Sequence, residues 1–155
     1  MRLFIPGPVE VMPEIKNGPA RARYEGIEEK VLALLRSRGM LARATLQAFD
    51  PETIRRVRAL EPAVRTMLLV GRGRVEQARA QPADAVRWAR EAGATDLGMD
   101  HRLIDAGVVR AAREAKIRLS AWTVNEEDDI RRMAALGVDV IMTDYPDRAR
   151  RILGK

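Results

Sequence analysis

The sequence predicts an α/β protein built on parallel strands, and three observations lead to that prediction. From Met12 onward, short apolar runs alternate with longer amphipathic stretches. Turns rich in Gly, Asp or Pro separate the two kinds of segment. The apolar runs end roughly every 20 to 30 residues, a spacing that suits right-handed βα crossovers. We therefore expect a parallel sheet with helices packed on it.

Six strands are predicted from the apolar runs, at residues 11–16, 42–47, 66–70, 95–99, 118–122 and 138–143. Six helices are predicted between and after them, at residues 24–38, 51–60, 82–92, 104–115, 126–136 and 146–153. Asp50 caps the second helix and Pro51 opens it, while three other helices end at Gly39, Gly93 and Gly137. The polar, Gly- and Arg-rich segment 71–81 is expected to be a loop or a short extra turn.

Two architectures accommodate six βα units: a doubly wound sheet and a (β/α)8 barrel. A closed barrel needs eight units and typically ~250 residues, so a barrel built from this chain would be partial, about two units short. Residues 1–10 carry two prolines and no pattern, and we expect an irregular start there, a linker or an arbitrary beginning inside a longer gene. Residues 11–155 would form one incomplete domain with a real core, because 46% of the chain is hydrophobic.

The composition excludes several kinds of site. The chain has no cysteine, so disulfides, thiolate zinc sites and cysteine nucleophiles are excluded. His101 is the only histidine, which excludes multi-histidine metal sites and histidine pairs. The apolar run at the start is too short for a signal sequence, and no segment reaches the ~18 apolar residues of a membrane span. We therefore expect a soluble, cytoplasmic protein whose chemistry uses oxygen ligands, Lys or Arg.

The formal net charge of +6 raises the question of a nucleic-acid or anionic-membrane partner. The arginines are scattered over every predicted helix and often follow acids, as in residues 126–132. Only two Phe and two Tyr could offer stacking platforms for bases. These patterns indicate solvated helix faces, and we expect no nucleic-acid partner.

The tripeptide Glu14-Ile15-Lys16 is the first candidate site. In an extended segment, residues two apart share a face, so Glu14 and Lys16 point the same way and Ile15 points into the opposite layer. The following Asn17-Gly18-Pro19 ends the strand at once. These residues alone leave two interpretations open: an ion pair on an exposed edge, or a metal ligand beside a phosphate-binding cation.

Five predicted strands end in polar or aromatic residues, and in parallel βα folds such ends assemble the site. In chain order the ends read Glu14-Ile15-Lys16, Phe49-Asp50-Pro51-Glu52, Gly98-Met99-Asp100-His101, Trp122-Thr123-Val124-Asn125 and Thr143-Asp144-Tyr145-Pro146-Asp147. Taken together, these strings resemble the glycerophosphodiester phosphodiesterase family over about residues 12–150. The resemblance makes the six βα units correspond to strands 3 to 8 of that family's barrel.

The resemblance implies a partial (β/α)8 barrel and a metal-dependent hydrolase of lipid metabolism. The family converts a glycerophosphodiester and water to an alcohol and glycerol 3-phosphate, with a divalent cation that is usually Ca²⁺ or Mg²⁺. By the same resemblance, Glu14 would be a metal ligand. Lys16 would bind a phosphate oxygen as a catalytic and substrate-binding residue, and Trp122 would line the glycerol side of the pocket.

The sequence departs from the family pattern before Glu14. The family's first strand ends in His-Arg, its second carries a Glu-x-Asp metal pair, and a His-Asp follows; the histidines act as acid and base. None of these motifs is present in the thirteen residues before Glu14, which contain no histidine and no Glu-x-Asp. One carboxylate does not hold a cation specifically. We therefore expect a weakly held cation or none, and an isolated chain that is inactive. The alternative is a non-catalytic remnant that weakly binds phosphate or glycerol phosphate.

Other residues are predicted to have structural roles. His101 is expected to cap or flank a loop, and Trp88 to pack between helix and sheet. Asn125 and Asp144 are expected to cap the helices that follow them. A partial barrel leaves two unpaired sheet edges, so self-association through these edges is a further expectation.

Overall fold

Five parallel strands form one sheet in which each strand pairs with the next along the chain. The computed structural model describes residues 9–154. The strands are β1 (Thr45–Ala48), β2 (Arg65–Val70), β3 (Asp96–Asp100), β4 (Arg118–Trp122) and β5 (Val140–Ile141). The helices are α1 (Ile27–Ser37), α2 (Pro51–Leu60), α3 (Arg72–Ala78), α4 (Asp84–Glu91), α5 (Ala106–Glu114), α6 (Glu127–Leu136) and α7 (Pro146–Leu153). The α/β class and the parallel βα order predicted from the sequence are confirmed.

The first predicted strand, residues 11–16, forms two isolated parallel bridges instead of a regular strand. Val11 bridges to Ala44 and Glu14 bridges to Gln47. The ladder is interrupted between these bridges at Pro13, which has no N–H to donate. The Pro13 carbonyl still accepts from the Gln47 N–H (2.9 Å), and the Ile15 N–H donates to the Gln47 carbonyl (2.9 Å). The segment is therefore extended beside β1, as predicted, but with an incomplete ladder.

Other predicted elements differ from the structure in part. The strand predicted at residues 42–47 is found at Thr45–Ala48, after a 3-10 turn at Leu41–Arg43. Residues 72–78 of the segment predicted as a loop form α3, in which Val75 is the buried residue. The last predicted strand, 138–143, is reduced to Val140–Ile141. Next to it, the Leu119 N–H of β4 donates to the Asp139 carboxylate (2.8 Å), so a side chain takes part in the pairing.

The helix ends follow the predicted signals. α2 and α7 have the predicted bounds, and both have proline in the first turn. The first helix begins at Ile27 instead of residue 24, because Gly26 before it has a left-handed conformation (φ 69°). Gly137 also adopts positive φ (76°), and it ends α6 as predicted. Residues 1–8, in which most of the irregular start was expected, lie outside the described residues.

The core lies between the sheet and its helices. Alternate residues of the central strands face the helices and are fully buried, including Leu68, Leu97, Met99 and Leu119. A second cluster joins the extended segment to β1, α1 and α2 through Ile15, Leu32, Leu35, Leu46 and Val57. The extended segment is thus held to the sheet by apolar packing as well as by its backbone hydrogen bonds.

The sheet does not close on itself within residues 9–154. The segment 11–16 lies at one edge, beside β1, and β5 forms the other edge. The carboxyl ends of all strands meet at one side of the sheet, as parallel βα connections require. No helix in this part of the chain is long and apolar enough to cross a membrane.

Candidate active site at the strand ends

Glu14 and Lys16 lie on the same face of the extended segment, as predicted. The Lys16 Nζ is 3.6 Å from Glu14 Oε2, and Ile15 between them is buried on the opposite face. The Lys16 side chain is 75% exposed and that of Glu14 is 24% exposed. The structure therefore contains the predicted ion pair. The two side chains also line a cavity, so the ion pair lies where a ligand could replace one of its partners.

Two cavities adjoin at the carboxyl ends of the strands. The larger has a volume of about 790 Å³ and is lined by Glu14, Lys16, Asn17, Phe49, Asp50, Pro51, Gly71, Gly73, Arg74 and Gln77. The smaller has a volume of about 250 Å³ and is lined by Glu14, Gln47, Phe49, Leu69, Trp122, Thr123, Met142, Thr143 and Asp144. Glu14 and Phe49 line both cavities. All three residues predicted for the site, Glu14, Lys16 and Trp122, thus lie in one connected region.

An aromatic pair forms a wall between strand ends. The rings of Phe49 and Trp122 meet edge to face, with centroids 5.7 Å apart and planes at 82°. Gly71 lies against this pair, and a Cβ atom there would be 3.5 Å from Trp122 Cη2. The Trp122 Nε1–H is buried and has no hydrogen-bond partner within residues 9–154. A buried donor without a partner is uncommon and indicates a position for a ligand or water acceptor.

Asp50 connects the end of β1 to the loop that follows Lys16. Its Oδ1 accepts from the Glu52 N–H (3.0 Å), which caps α2 as predicted. Its Oδ2 accepts from the Arg23 guanidinium, which also pairs with the buried carboxylate of Glu28. Burial acts to raise the pKa of Asp50, but the hydrogen bonds from Glu52 and Arg23 outweigh burial and lower it. Asp50 therefore stays ionised and fixes the loop beside the cavity.

Asn125 and Asp144 do not cap helices, so both predicted caps are wrong. The Asn125 Nδ2 donates to Asp144 Oδ2 (2.8 Å), and its Oδ1 accepts from the Asp144 N–H (3.0 Å). The same oxygen accepts from the Thr143 hydroxyl (3.2 Å). The side chains instead join the end of β4 to the end of β5. This network fixes Thr143 and Asp144 at the wall of the smaller cavity.

His101 and Trp88 lie away from the two cavities in structural environments. The His101 Nδ1 is 3.2 Å from an Arg132 nitrogen and 3.5 Å from Asp129 Oδ1, and its side chain is 13% exposed. Trp88 packs against the main core, with the Arg74 guanidinium 4.8 Å from the centre of its ring. These contacts agree with the structural roles predicted for both residues.

The carboxylates of the described region do not form a complete cation site. No group of three or more His, Cys, Asp or Glu side chains that could hold a metal ion occurs within residues 9–154. Glu14 offers one carboxylate toward the cavities, and its neighbour Lys16 is a cation. Ca²⁺ and Mg²⁺ need several oxygen ligands. The residues present therefore fit one part of a divalent-cation site and not the whole of it.

Sequence reasoning missed the contribution of α3 to the larger cavity. Gly73, Arg74 and Gln77 line that cavity, although the sequence predicted a loop or a short extra turn there and no lining residues. The signal that could have indicated it is Gly71-Arg72-Gly73-Arg74, a cationic, glycine-rich stretch placed directly after the end of β2. A position after a buried parallel strand is where ligand-binding residues occur in such folds.

The fold and the strand-end residues together define the class of protein. Consecutive parallel βα units with a carboxylate, a lysine and an indole at their carboxyl ends are the arrangement of a barrel-type enzyme site. The sequence profile of the Glycerophosphoryl diester phosphodiesterase family matches residues 8–148. The chain belongs to this family, as the order of its strand-end motifs predicted.

Individual relatives agree with this assignment. The chain is 28% identical over 135 residues to a glycerophosphodiester phosphodiesterase of Bacillus subtilis, a match that covers 83% of this chain and 45% of the relative. It is also 28% identical to a glycerophosphodiester phosphodiesterase of Caldanaerobacter subterraneus, covering 92% of this chain and 54% of the relative. The chain spans about half the length of the curated relatives it matches.

Solved structures share the fold over nearly the whole chain. A Silicibacter pomeroyi protein, provisionally named a glycerophosphoryl diester phosphodiesterase, superposes with a TM-score of 0.83 at 29% identity, covering 93% of this chain and 50% of that one. An Oleispira antarctica phosphodiesterase, solved in complex with the product sn-glycerol-3-phosphate, has the same fold with a TM-score of 0.68 at 18% identity and covers 96% and 56% of the two chains. The described sheet therefore corresponds to part of a barrel.

Proposed function

We propose that this chain supplies the phosphate- and glycerol-binding side of a phosphoric diester hydrolase site of the glycerophosphodiester phosphodiesterase type. The reaction of such a site converts a glycerophosphodiester and water to an alcohol and glycerol 3-phosphate. The observation that carries the proposal is that two cavities adjoin at Glu14, with Lys16 in one and Trp122 in the other. A phosphodiester has two ester arms, and two cavities that meet at a charged residue suit its shape.

The residues take separate parts in this proposal. The phosphate would lie beside Glu14 and Lys16, where the Lys16 ammonium offsets negative charge on the phosphate oxygens. The glycerol would enter the smaller cavity of about 250 Å³, against the ring of Trp122. The unpartnered Trp122 Nε1–H would donate to a glycerol hydroxyl, which removes the cost of a buried donor without an acceptor.

A divalent cation, Ca²⁺ or Mg²⁺, belongs to the proposed complete site. Glu14 would supply one of its carboxylate ligands, and the cation would polarise the phosphoryl group when bound. The remaining ligands are not found within residues 9–154. We therefore expect the affinity of this chain for the cation to be weak.

We expect the 155-residue chain by itself to bind glycerol 3-phosphate but not to turn over substrate. The sequence contains a single histidine, His101, and it lines neither cavity. A phosphodiester hydrolase without a positioned acid or base loses a large part of its rate. The alternative function is that of a non-catalytic remnant that binds phosphate or glycerol phosphate weakly, and the incomplete cation site of residues 9–154 favours it for the isolated chain.

Hydrolysis of glycerophosphocholine, followed by glycerol 3-phosphate release with and without Ca²⁺ or Mg²⁺, tests whether the chain is an enzyme on its own. The comparison uses the wild-type chain, Glu14→Ala, and Glu91→Ala as the matched control at an exposed residue of α4. We expect no divalent-dependent release by any of them. Release by wild type and Glu91→Ala that is lost in Glu14→Ala would exclude the remnant and show that the chain is an enzyme on its own.

Binding of glycerol 3-phosphate by calorimetry tests the part of the proposal that both functions share. Loss of one charge-assisted contact should weaken binding about tenfold in Lys16→Ala. The control, Lys30→Ala, removes an exposed lysine of α1 that lines neither cavity. Equal affinities of wild type and Lys16→Ala would contradict the role proposed for Lys16.

A further inference from the structure

The larger cavity contains one cation more than its own residues neutralise. Its lining includes Lys16 and Arg74 as the basic residues, with Glu14 and Asp50 as the acids. Glu14 pairs with Lys16, and Asp50 is engaged by Arg23 and by the start of α2. No carboxylate within residues 9–154 forms an ion pair with Arg74. The part of the lining contributed by α3 therefore carries a positive charge that has no ion-pair partner within residues 9–154.

Arg74 is held in place rather than free in solvent. The residue is half-buried, and its guanidinium lies 4.8 Å from the centre of the Trp88 ring, which is itself packed on the core. Burial and the positive charge of Arg55 lower the pKa of Arg74, while Asp50 acts in the opposite direction. A partly desolvated charge without a counterion is costly, and a bound anion would offset that cost. The planar guanidinium suits a phosphate in particular.

The arrangement of the cavities places Arg74 on the alcohol side of the substrate. This step rests on the proposed function, in which the phosphodiester lies at Glu14 and the glycerol lies against Trp122. The alcohol arm then enters the larger cavity of about 790 Å³, whose lining includes Gly73, Arg74 and Gln77 of α3. We propose that Arg74 is a specificity residue for the leaving alcohol and binds a second phosphate carried by that alcohol.

A matched pair of ligands tests this inference by calorimetry. Glycerophosphoinositol and glycerophosphoinositol 4-phosphate differ only by the second phosphate. We expect wild type to bind the 4-phosphate about tenfold more tightly. Arg74→Gln should lose this preference and keep the affinity for the unphosphorylated ligand, and Arg74→Lys should retain part of the preference through its charge. Arg55→Gln is the control, since Arg55 is exposed and paired with Glu52.

The outcomes separate the inference from the function on which it rests. Equal affinities of wild type for the two ligands, both displaced by glycerol 3-phosphate, would overturn the inference and leave the proposed function intact. Equal weakening of both ligands in Arg74→Gln would assign Arg74 to the scissile phosphate and also overturn the inference. If Arg55→Gln lost the preference for the 4-phosphate as Arg74→Gln does, the preference would come from general electrostatic attraction, and the inference would be overturned. Ligand binding that glycerol 3-phosphate does not displace would contradict the proposed function itself.

Discussion

Asp50 joins the start of α2 to the loop that follows Lys16. Its Oδ1 caps α2 by accepting from the Glu52 N–H (3.0 Å). Its Oδ2 accepts from Arg23, a residue 27 positions away in the chain. These two hydrogen bonds favour the ionised carboxylate, and they lower the pKa of Asp50 although burial acts to raise it.

Asp50→Asn should lower the free energy of unfolding by an amount that depends on pH. Asparagine also caps helices, so the substitution removes the charge and keeps the cap. The folded pKa of Asp50 is lowered, so its contribution is present above the ordinary value of about 3.9 and is lost as the pH falls through the folded pKa. We expect the variant to be less stable by about 1 kcal/mol at pH 7, with the difference vanishing toward pH 2.

Urea unfolding at a series of pH values measures this difference, with Asp147→Asn on the exposed start of α7 as the control. A constant gap between wild type and Asp50→Asn from pH 7 to pH 2 would show that the Asp50 charge does not stabilise the fold.

At the scale of elements, the extended segment and α3 mark the limits of pattern reasoning. The alternation in residues 11–16 predicted the orientation of Glu14, Ile15 and Lys16, and the structure confirms it. The sequence pattern alone did not indicate which hydrogen bonds of the ladder would remain on either side of Pro13. The helix α3 has a single buried residue, Val75, and a glycine inside it, so its sequence carries almost no helical periodicity.

Pro13→Val should complete the ladder between the segment and β1. The new N–H would face the Thr45 carbonyl between the two existing bridges and add one hydrogen bond of about 1 kcal/mol. We expect amide hydrogens of Ile15 and Gln47 to exchange about fivefold more slowly, as local opening becomes costlier. Global stability should change little, because the loss of proline rigidity in the unfolded chain opposes the gain.

Hydrogen exchange followed by NMR measures this effect, with Pro62→Val in the loop before β2 as the control. Unchanged or faster exchange at Ile15 and Gln47 in Pro13→Val would show that proline is not what interrupts the strand.

Gly98 gives a second prediction at the level of the sheet. A Cβ atom at this position of β3 would lie 2.7 Å from Leu69 Cδ2 and 2.8 Å from Met67 Sδ. Both neighbours are buried, so they can move only by repacking. We expect Gly98→Ala to lower the free energy of unfolding by about 1 to 3 kcal/mol. Urea unfolding measures it, and Gly73→Ala on α3, where a Cβ meets nothing within 4 Å, is the control. A neutral Gly98→Ala would refute this packing argument.

At the scale of the whole molecule, the sheet of residues 9–154 has two edges and does not close. Unpaired edges of parallel strands are templates for further pairing. Self-association of the 155-residue chain therefore remains a prediction. Sedimentation equilibrium should show a mass that rises with concentration. A monomer at all concentrations, with a single cooperative thermal transition, would contradict it.

The sequence predicted the family and the parallel fold because both depend on the order of local motifs along the chain. It did not predict that Trp122 lines the smaller cavity and Arg74 the larger one. That arrangement depends on the register and twist of strands that are distant in sequence. The register places the end of β4 beside that of β3, and the rings of Phe49 and Trp122 meet next to Gly71. Such contacts between strand ends need the folded sheet.

The central claim is that the strand ends of this chain hold glycerol 3-phosphate against Trp122. The most direct test is the indole N–H signal of that residue in a ¹H–¹⁵N NMR titration with glycerol 3-phosphate. The chain has two tryptophans, and Trp88→Phe assigns their signals. We predict that the Trp122 signal shifts progressively in wild type and needs about tenfold more ligand for the same shift in Lys16→Ala, while that of Trp88 stays in place. An unchanged Trp122 signal at saturating ligand, or a titration that is the same in Lys16→Ala, would contradict the claim.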